Sequence, residues 1–369
     1  MGIWKECLLG DIVKFQRGYD LPKIKMNGGI YPVVASNGII GYHDKFTTNE
    51  PSITIGRSGT VGKPLLIKGK SWSHNTTLYI KEYKGVDPFF VYYFLKILDL
   101  KNYAGGSAVP TLNRNHIHCL HIKIPADISE QKQIASILTV IDDKIELNNR
   151  INKNLFEHIS TLYKKLISES DISKNLYLSE LCDFQEGYVN PAQTNQEYFD
   201  GKIKWLRAVD INESFIIDTS RTLTKSGFES AKKSAVIFKP NTIAISKSGT
   251  IGKLGIIADY MCGNRAVINI QPKQNQLLIF IYFFLKSKQK ELENLAVGSV
   301  QKNLYISRLE KLIVPFPTED LLVDFCKVTD SLLLKIHNNC FENKKLSVIR
   351  DTLLPKLMNG EIDVSEVRI

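Results

Sequence analysis

ITIGRSGTVGK at residues 53–63 returns as IAISKSGTIGK at 243–253, an offset of 190. The same offset relates FFVYYFLK (89–96) to IFIYFFLK (279–286). A repeat on this scale means that one structural unit is written twice, so it has to be recognised before any domain is assigned. Shorter echoes surround it. KFQRG (14–18) resembles DFQEG (183–187), and GGSAVPTLNRNHI (105–117) matches AVGSVQKNLYISRL (296–309) in a Gly-Ser turn, a polar stretch and a closing Ile or Leu. Each copy then runs into IKIP (122–125) or LIVP (312–315). Up to those prolines the pattern is short apolar runs, β-branched residues and glycine turns, the mark of short strands.

Beyond each proline the period changes. Ile134, Leu138, Ile141, Ile145, Asn148, Asn152, Leu155, Ile159, Leu162 and Leu166 alternate spacings of four and three, a sustained heptad seam. Adding 191 gives Phe325, Thr329, Leu332, Ile336, Asn339, Asn343, Leu346, Arg350, Leu353 and Leu357, with two asparagines at the same places. The expected layout is lobe, helix, lobe, helix: a first lobe at 1–125, a helix within 126–170, a second lobe at 171–315, a helix within 316–358 and a tail at 359–369. Antiparallel pairing of the helices would give the chain a pseudo-two-fold symmetry. Setting residues whose numbers sum to 491 opposite each other places Ile134 against Leu357, Leu138 against Leu353, Asn148 against Asn343 and Asn152 against Asn339. A buried seam asparagine costs stability but specifies register, because a slip leaves an amide facing an aliphatic side chain. Arg350 faces Ile141 in this register and is expected to reach Asp142 or another nearby carboxylate. Residues 129–167 would form a rod of roughly 58 Å, about 17 base pairs of B-DNA.

The 369 residues suit two domains of ordinary size, and 43% hydrophobic with 23% charged residues suits a globular chain rather than a disordered or fibrous one. The net charge of +10 points to a polyanionic partner only if it is localised. It is: residues 1–125 carry 16 basic against 8 acidic side chains, and 171–315 carry 19 against 14. The helical segments carry 6 against 7 (126–170) and, with the tail, 7 against 9 (316–369). The lobes are thus the candidates for phosphate contact and the helices for protein partners. Six scattered cysteines lack metal-ligand spacing and read as reduced thiols. No apolar run approaches the roughly 20 residues of a membrane span, and the N-terminus lacks a signal peptide, so the expectation is a cytoplasmic protein without a membrane partner.

Individual motifs are weaker than their repetition. GRSGTVGKP (56–64) fails as a phosphate-binding P-loop, because five residues separate its glycines and Pro64 follows Lys63. It reads better as a hairpin turn whose Arg57/Lys247, Ser58/Ser248 and Thr60/Thr250 present donors. His116, His118 and His121 read as a strand-like segment, not a metal site. The aromatic stripes Phe89–Phe94 and Phe280–Phe284 read as lobe core. No methyl-donor loop, nuclease, GxSxG or HExxH pattern occurs; Asn190-Pro191-Ala192 is as near as the chain comes to an amino-methyltransferase motif.

Taken in order, the duplicated layout, the helix SEQKQIASILTVIDDKIELNNRINKNLFEHISTLYKKL, its partner ending in LLPKLMNGEI, YPVVASNGIIGYHDKF in the first lobe and IKWLRAVDI in the second resemble the specificity subunit of Type I restriction-modification systems over essentially the whole length. The resemblance implies an α+β fold: two similar mixed α/β target-recognition domains separated by two long helices in an antiparallel coiled coil. It implies a non-catalytic reader of double-stranded DNA, each lobe reading one half of a bipartite target. The helices would dock two methyltransferase subunits that use S-adenosylmethionine to modify adenine at N6, with two ATP- and Mg-dependent restriction subunits joining that core. A coiled-coil scaffold that does not read DNA is the alternative. By position, the DNA-facing candidates in lobe one are Ser36, Asn37, Arg57, Ser58, Thr60, His74, Asn75, Thr111, Asn113 and Arg114. In lobe two they are Trp205, Arg207, Lys247, Ser248, Thr250, Asn264, Arg265, Ser299, Gln301, Lys302 and Asn303. Arg and Asn suit bidentate contacts to guanine and adenine edges, whereas Lys, Ser and backbone amides mostly hold phosphate. The SerGlyThr shared by both lobes suits phosphate or scaffold work, and divergent residues such as Arg114 suit base readout.

Overall fold

A computed structural model describes residues 3–105, 110–169, 174–298 and 302–364. The chain forms two compact units, Met1–Ile145 with Lys345–Ile369, and Glu146–Lys344. In the first, a four-stranded antiparallel sheet runs in the order Val13–Arg17, Thr77–Tyr83, Ser52–Gly56, Pro64–Ile67. A three-stranded sheet has Tyr31–Ala35 between Gly38–His43 and Trp72–Ser73. Trp4–Leu8 and His121–Pro125 pair antiparallel, tying the start of the lobe to its end.

The aromatic stripe of this lobe is a helix, Pro88–Ile97. It starts there because Asp87 accepts the Phe90 N–H at 2.9 Å and Pro88 occupies the first turn, where no amide donor is needed. Phe90, Val91 and Leu95 are fully buried and join Phe15, Ile53, Ile55, Leu78 and Ile80 in one core. Burying each such side chain contributes roughly 1.5–3 kcal/mol.

In the second unit Cys182–Glu186, Val267–Pro272, Thr242–Ser246, Leu254–Ile257 and Phe215–Ile216 form a sheet in that order. A further sheet runs Thr222–Leu223, Phe199–Leu206, Met261–Gly263, Ile237–Phe238. The matching aromatic helix, Leu278–Ser287, is buried from Leu278 through Leu285. Lys174–Tyr177 pairs antiparallel with Ile313–Phe316, as the ends of the first lobe do.

The heptad segments are single helices, Ile128–Glu169 and Glu319–Met358. In the second unit Asn148 Nδ2 donates to Asn343 Oδ1 at 2.9 Å and Asn339 Nδ2 to Asn152 Oδ1 at 2.8 Å. Numbers rise on one helix as they fall on the other, so the pairing is antiparallel. Asn148 and Asn339 are each 1% exposed. Asn148 also donates to Glu342 at 2.7 Å, and Asn343 to Asn149 at 2.9 Å, so the buried amides are satisfied. In the first unit Ile134, Leu138 and Leu357 are buried in the lobe core. There Arg350 donates to Asp142 at 2.7 Å, and Asp142 also accepts the Tyr93 hydroxyl at 2.9 Å.

One local expectation needs correction. Residues Arg114–His118 are a short helix, not a strand; only His121–Pro125 is extended. Asn113 caps it by accepting the Asn115 N–H at 3.0 Å, and that cap outweighs the strand-like spacing of two between His116 and His118. His118 Nε2 accepts the Phe15 backbone N–H at 3.0 Å, a packing role. Among the described residues no group of three His, Cys, Asp or Glu is placed to hold a metal, and no helix is long and apolar enough to cross a membrane.

Candidate nucleic-acid interface

The repeated GRSGTVGK sequence is a hairpin turn. Gly62 N–H donates to Gly56 O at 2.8 Å and Gly56 N–H to Lys63 O at 3.1 Å, while Gly59 and Gly62 hold φ values of +81° and +78° that L side chains avoid. Other segments of lobe one anchor the turn. Arg57 N–H donates to Thr76 O at 2.8 Å, Leu112 N–H to Arg57 O at 2.8 Å, and Ser36 N–H to Thr76 Oγ1 at 3.3 Å. Loops 36–37, 57–60, 74–76 and 111–114 therefore meet at one place.

Their side chains differ in availability. Asn37, Thr60, Asn113 and Arg114 are exposed, Arg57, Ser58, His74, Asn75 and Thr111 are half-buried, and Ser36 is buried. Asn75 donates to Asp20 at 2.7 Å, and His74 Nδ1 lies 3.3 Å from Thr76 Oγ1. Arg17, Arg57, Thr111, Asn113, Arg114 and His116 line a cleft of about 580 Å³. Partial burial, and then the nearby Arg17 charge, lower the affinity of Arg57 for its proton. Among the described residues Arg17, Arg57 and Arg114 have no carboxylate within ion-pair distance. The cleft offers hydrogen-bond donors and positive charge, the complement of phosphate oxygens and guanine edges. Arg17 was missed from sequence; its only signal was its place in the KFQRG echo.

Lobe two builds the same frame. Lys247 N–H donates to Ala266 O at 2.7 Å, Leu304 N–H to Lys247 O at 2.9 Å, and Asn264 N–H to Leu206 O at 2.9 Å, as His74 N–H does to Val34 O at 2.9 Å. Its side chains are arranged differently. The Lys247 ammonium is paired with the Glu186 carboxylate and lies 5.3 Å from the centre of the Tyr305 ring. Partial burial, and then Arg265, hold the Lys247 pKa below its ordinary value. Thr250, Arg265 and Lys302 are exposed, while Ser248, Asn264 and Asn303 are half-buried. Arg207 donates to Ser220 at 2.6 Å and lies 3.8 Å from Asp210.

Trp205 does not belong with them. It is 3% exposed, packs with Val189, Phe199, Leu223 and Cys262, and its indole N–H donates to Val189 O at 2.7 Å. It is a core residue, carried by strand Phe199–Leu206 into that buried cluster. Ser299 and Gln301 lie outside the described residues.

The family model of the Type I restriction modification DNA specificity domain matches this chain twice, over residues 1–157 and 173–339. The Type I restriction enzyme HindI specificity subunit of Haemophilus influenzae is 25% identical over 330 residues, covering 69% of this chain and 71% of its own. The MjaIX specificity subunit of Methanocaldococcus jannaschii is 26% identical over 309 residues, covering 77% and 71%. A solved Type I restriction-modification S subunit from M. genitalium superposes with a TM-score of 0.62 at 20% identity over 96% of each chain. That likeness concerns the fold.

Proposed function

This chain belongs to the Type I restriction modification DNA specificity family, and on that premise we propose that it is the DNA-reading subunit of such a complex. In this family the specificity subunit is not the catalyst; methylation and cleavage are the work of partner subunits. Lobe one (1–125) and lobe two (171–315) each read one half of a bipartite duplex target. The helices within 126–170 and 316–358 dock two adenine-N6 methyltransferase subunits, whose cofactor is S-adenosylmethionine, and two restriction subunits supply ATP- and Mg-dependent cleavage. On this reading the complex acts in the cytoplasm.

One observation carries this reading: the same loop frame recurs in both lobes around a cationic turn residue, Arg57 or Lys247, on segments that hold all of the chain's net positive charge. The donors of this frame suit phosphates and base edges, while the uncharged balance of the helices suits protein contact. The test is to purify the chain with its methyltransferase partner and titrate duplex DNA across salt. A steep loss of affinity with salt is expected, and a flat response would leave the scaffold reading in its place. Exchanging residues 1–125 for the matching lobe of another such subunit should change one half of the methylated target. A change in both halves, or in neither, would refute the two-reader assignment.

A further inference from the structure

Arg17 and Glu186 occupy one position in the two lobes. Arg17 pairs across its sheet with Leu78, which pairs with Ile55; Glu186 pairs with Ile268, which pairs with Ile245. Leu78 and Ile268, like Ile55 and Ile245, are 190 residues apart, the offset of the repeat. The glycine that follows donates to Thr77 O at 3.0 Å in one lobe and to Val267 O at 2.9 Å in the other. Each residue stands beside the cation of the hairpin turn, and there the lobes part. Arg17 and Arg57 are like charges lining one cleft, while Glu186 and Lys247 form an ion pair.

We infer that Arg17 and Arg57 form an acceptor-binding site for DNA that lobe one alone presents, and that Glu186 closes the equivalent site in lobe two. This rests on the DNA-reading function proposed above. Two guanidinium groups brought together without a carboxylate repel each other in the free protein, and a phosphate oxygen or the O6 and N7 of guanine relieves that repulsion while accepting from both forks. In lobe two the carboxylate already supplies that acceptor. Glu186 also accepts the Tyr188 hydroxyl at 2.8 Å, which holds it against the lysine. An approaching phosphate would meet an ion pair with no net charge.

The test uses the complex with the methyltransferase partner and compares the wild type with Arg17→Gln, Arg17→Glu and Glu186→Gln by salt-dependent DNA binding and by mapping of methylated sites. If the acceptor is phosphate, Arg17→Gln should flatten the slope of log affinity against log salt by about 1, and Arg17→Glu by about 2, because the new carboxylate also captures Arg57. Glu186→Gln should steepen it by about 1 by releasing Lys247. If the acceptor is guanine, both Arg17 variants should relax one base position in the lobe-one half by roughly 5- to 150-fold and leave the other half unchanged. If the other variants at this position fail to fold, Glu186→Gln alone decides the phosphate arm, and Arg17→Lys, which keeps the charge and the slope but loses the fork, decides the guanine arm by relaxing that base position. Unchanged slopes and unchanged targets in all variants, with the wild type still binding in a salt-dependent way, overturn the inference alone. A wild type without salt-dependent binding overturns the DNA-reading function instead.

Discussion

Replacing Asn339 with leucine should destabilise the protein, and replacing Asn152 as well should restore what the first change removed. In the second unit Asn339 Nδ2 donates to Asn152 Oδ1 at 2.8 Å, and both residues are buried. Asn339→Leu removes that bond and leaves the Asn152 carbonyl facing methyl groups, with its amide held only by the weak acceptor Cys340 Sγ at 3.4 Å. A lost hydrogen bond and a stranded buried acceptor together cost about 2 kcal/mol. The unit spans Glu146–Lys344, about 200 residues, a size at which 1 kcal/mol moves the melting temperature by roughly 2–4 °C. The single variant should therefore melt about 4–8 °C below the wild type. The double variant Asn152→Leu/Asn339→Leu buries two aliphatic side chains against each other with no amide left unpaired, and should melt at or above the wild type. The remaining layer, Asn148 with Asn343, still specifies the register. Calorimetry of the full chain and the three variants gives the coupling directly. Equal and additive losses from the two single substitutions would refute the claim that these asparagines act as a pair.

Four further substitutions probe other parts of the fold. Gly18→Ala should cost about 1–3 kcal/mol by urea denaturation, because its Cβ would lie 2.2 Å from His74 O; Gly187→Ala should behave alike, with Asn264 O at 2.2 Å, and full stability in either would contradict the close approach. Arg350→Leu should cost roughly 1–3 kcal/mol by removing the 2.7 Å bond to Asp142, which then keeps the Tyr93 hydroxyl and Lys96 at 3.7 Å; a neutral result would mean that those two suffice. Burial, and then Arg114, Lys84 and Lys14, depress the His118 pKa below its ordinary 6.5, so the unfolded chain binds this proton more readily. The contribution of neutral His118 is intact above pH 6.5 and is lost as pH falls from there through the folded value. His118→Gln, which keeps an acceptor for the Phe15 N–H without titrating, should flatten the acid side of the stability profile, and an unchanged profile would place the titration elsewhere.

Much of this architecture is legible in the chain because it depends on residues a few positions apart. Alternating spacings of four and three mark both seams, and the rule that paired numbers sum to 491 names the same asparagine pairs that hydrogen-bond. It also sets Arg350 opposite Ile141, next to the Asp142 that it bonds. The glycines of the 57–63 turn mark a hairpin, and the aromatic runs mark the helices that fill each lobe. The histidine segment misleads because one capping side chain, Asn113, outweighs an ambiguous alternation. Trp205 misleads for a different reason: it stands next but one to Arg207 in the chain, yet its ring packs into a buried cluster with Val189, Phe199, Leu223 and Cys262.

The sequence alone determined the repeat, the two long helices and their register, and the confinement of net positive charge to the lobes. Each is a matter of period, spacing or count, which no folding step can alter. The tertiary structure decided which of those charges are free. Arg57 and Lys247 are equivalent in the repeat and nearly equivalent in chemistry, yet one lies beside Arg17 and the other against Glu186. Those neighbours stand 40 and 61 residues away in the chain and are brought in only by the order of strands within each sheet. A side chain's charge is written locally, but its availability depends on what the sheet places beside it.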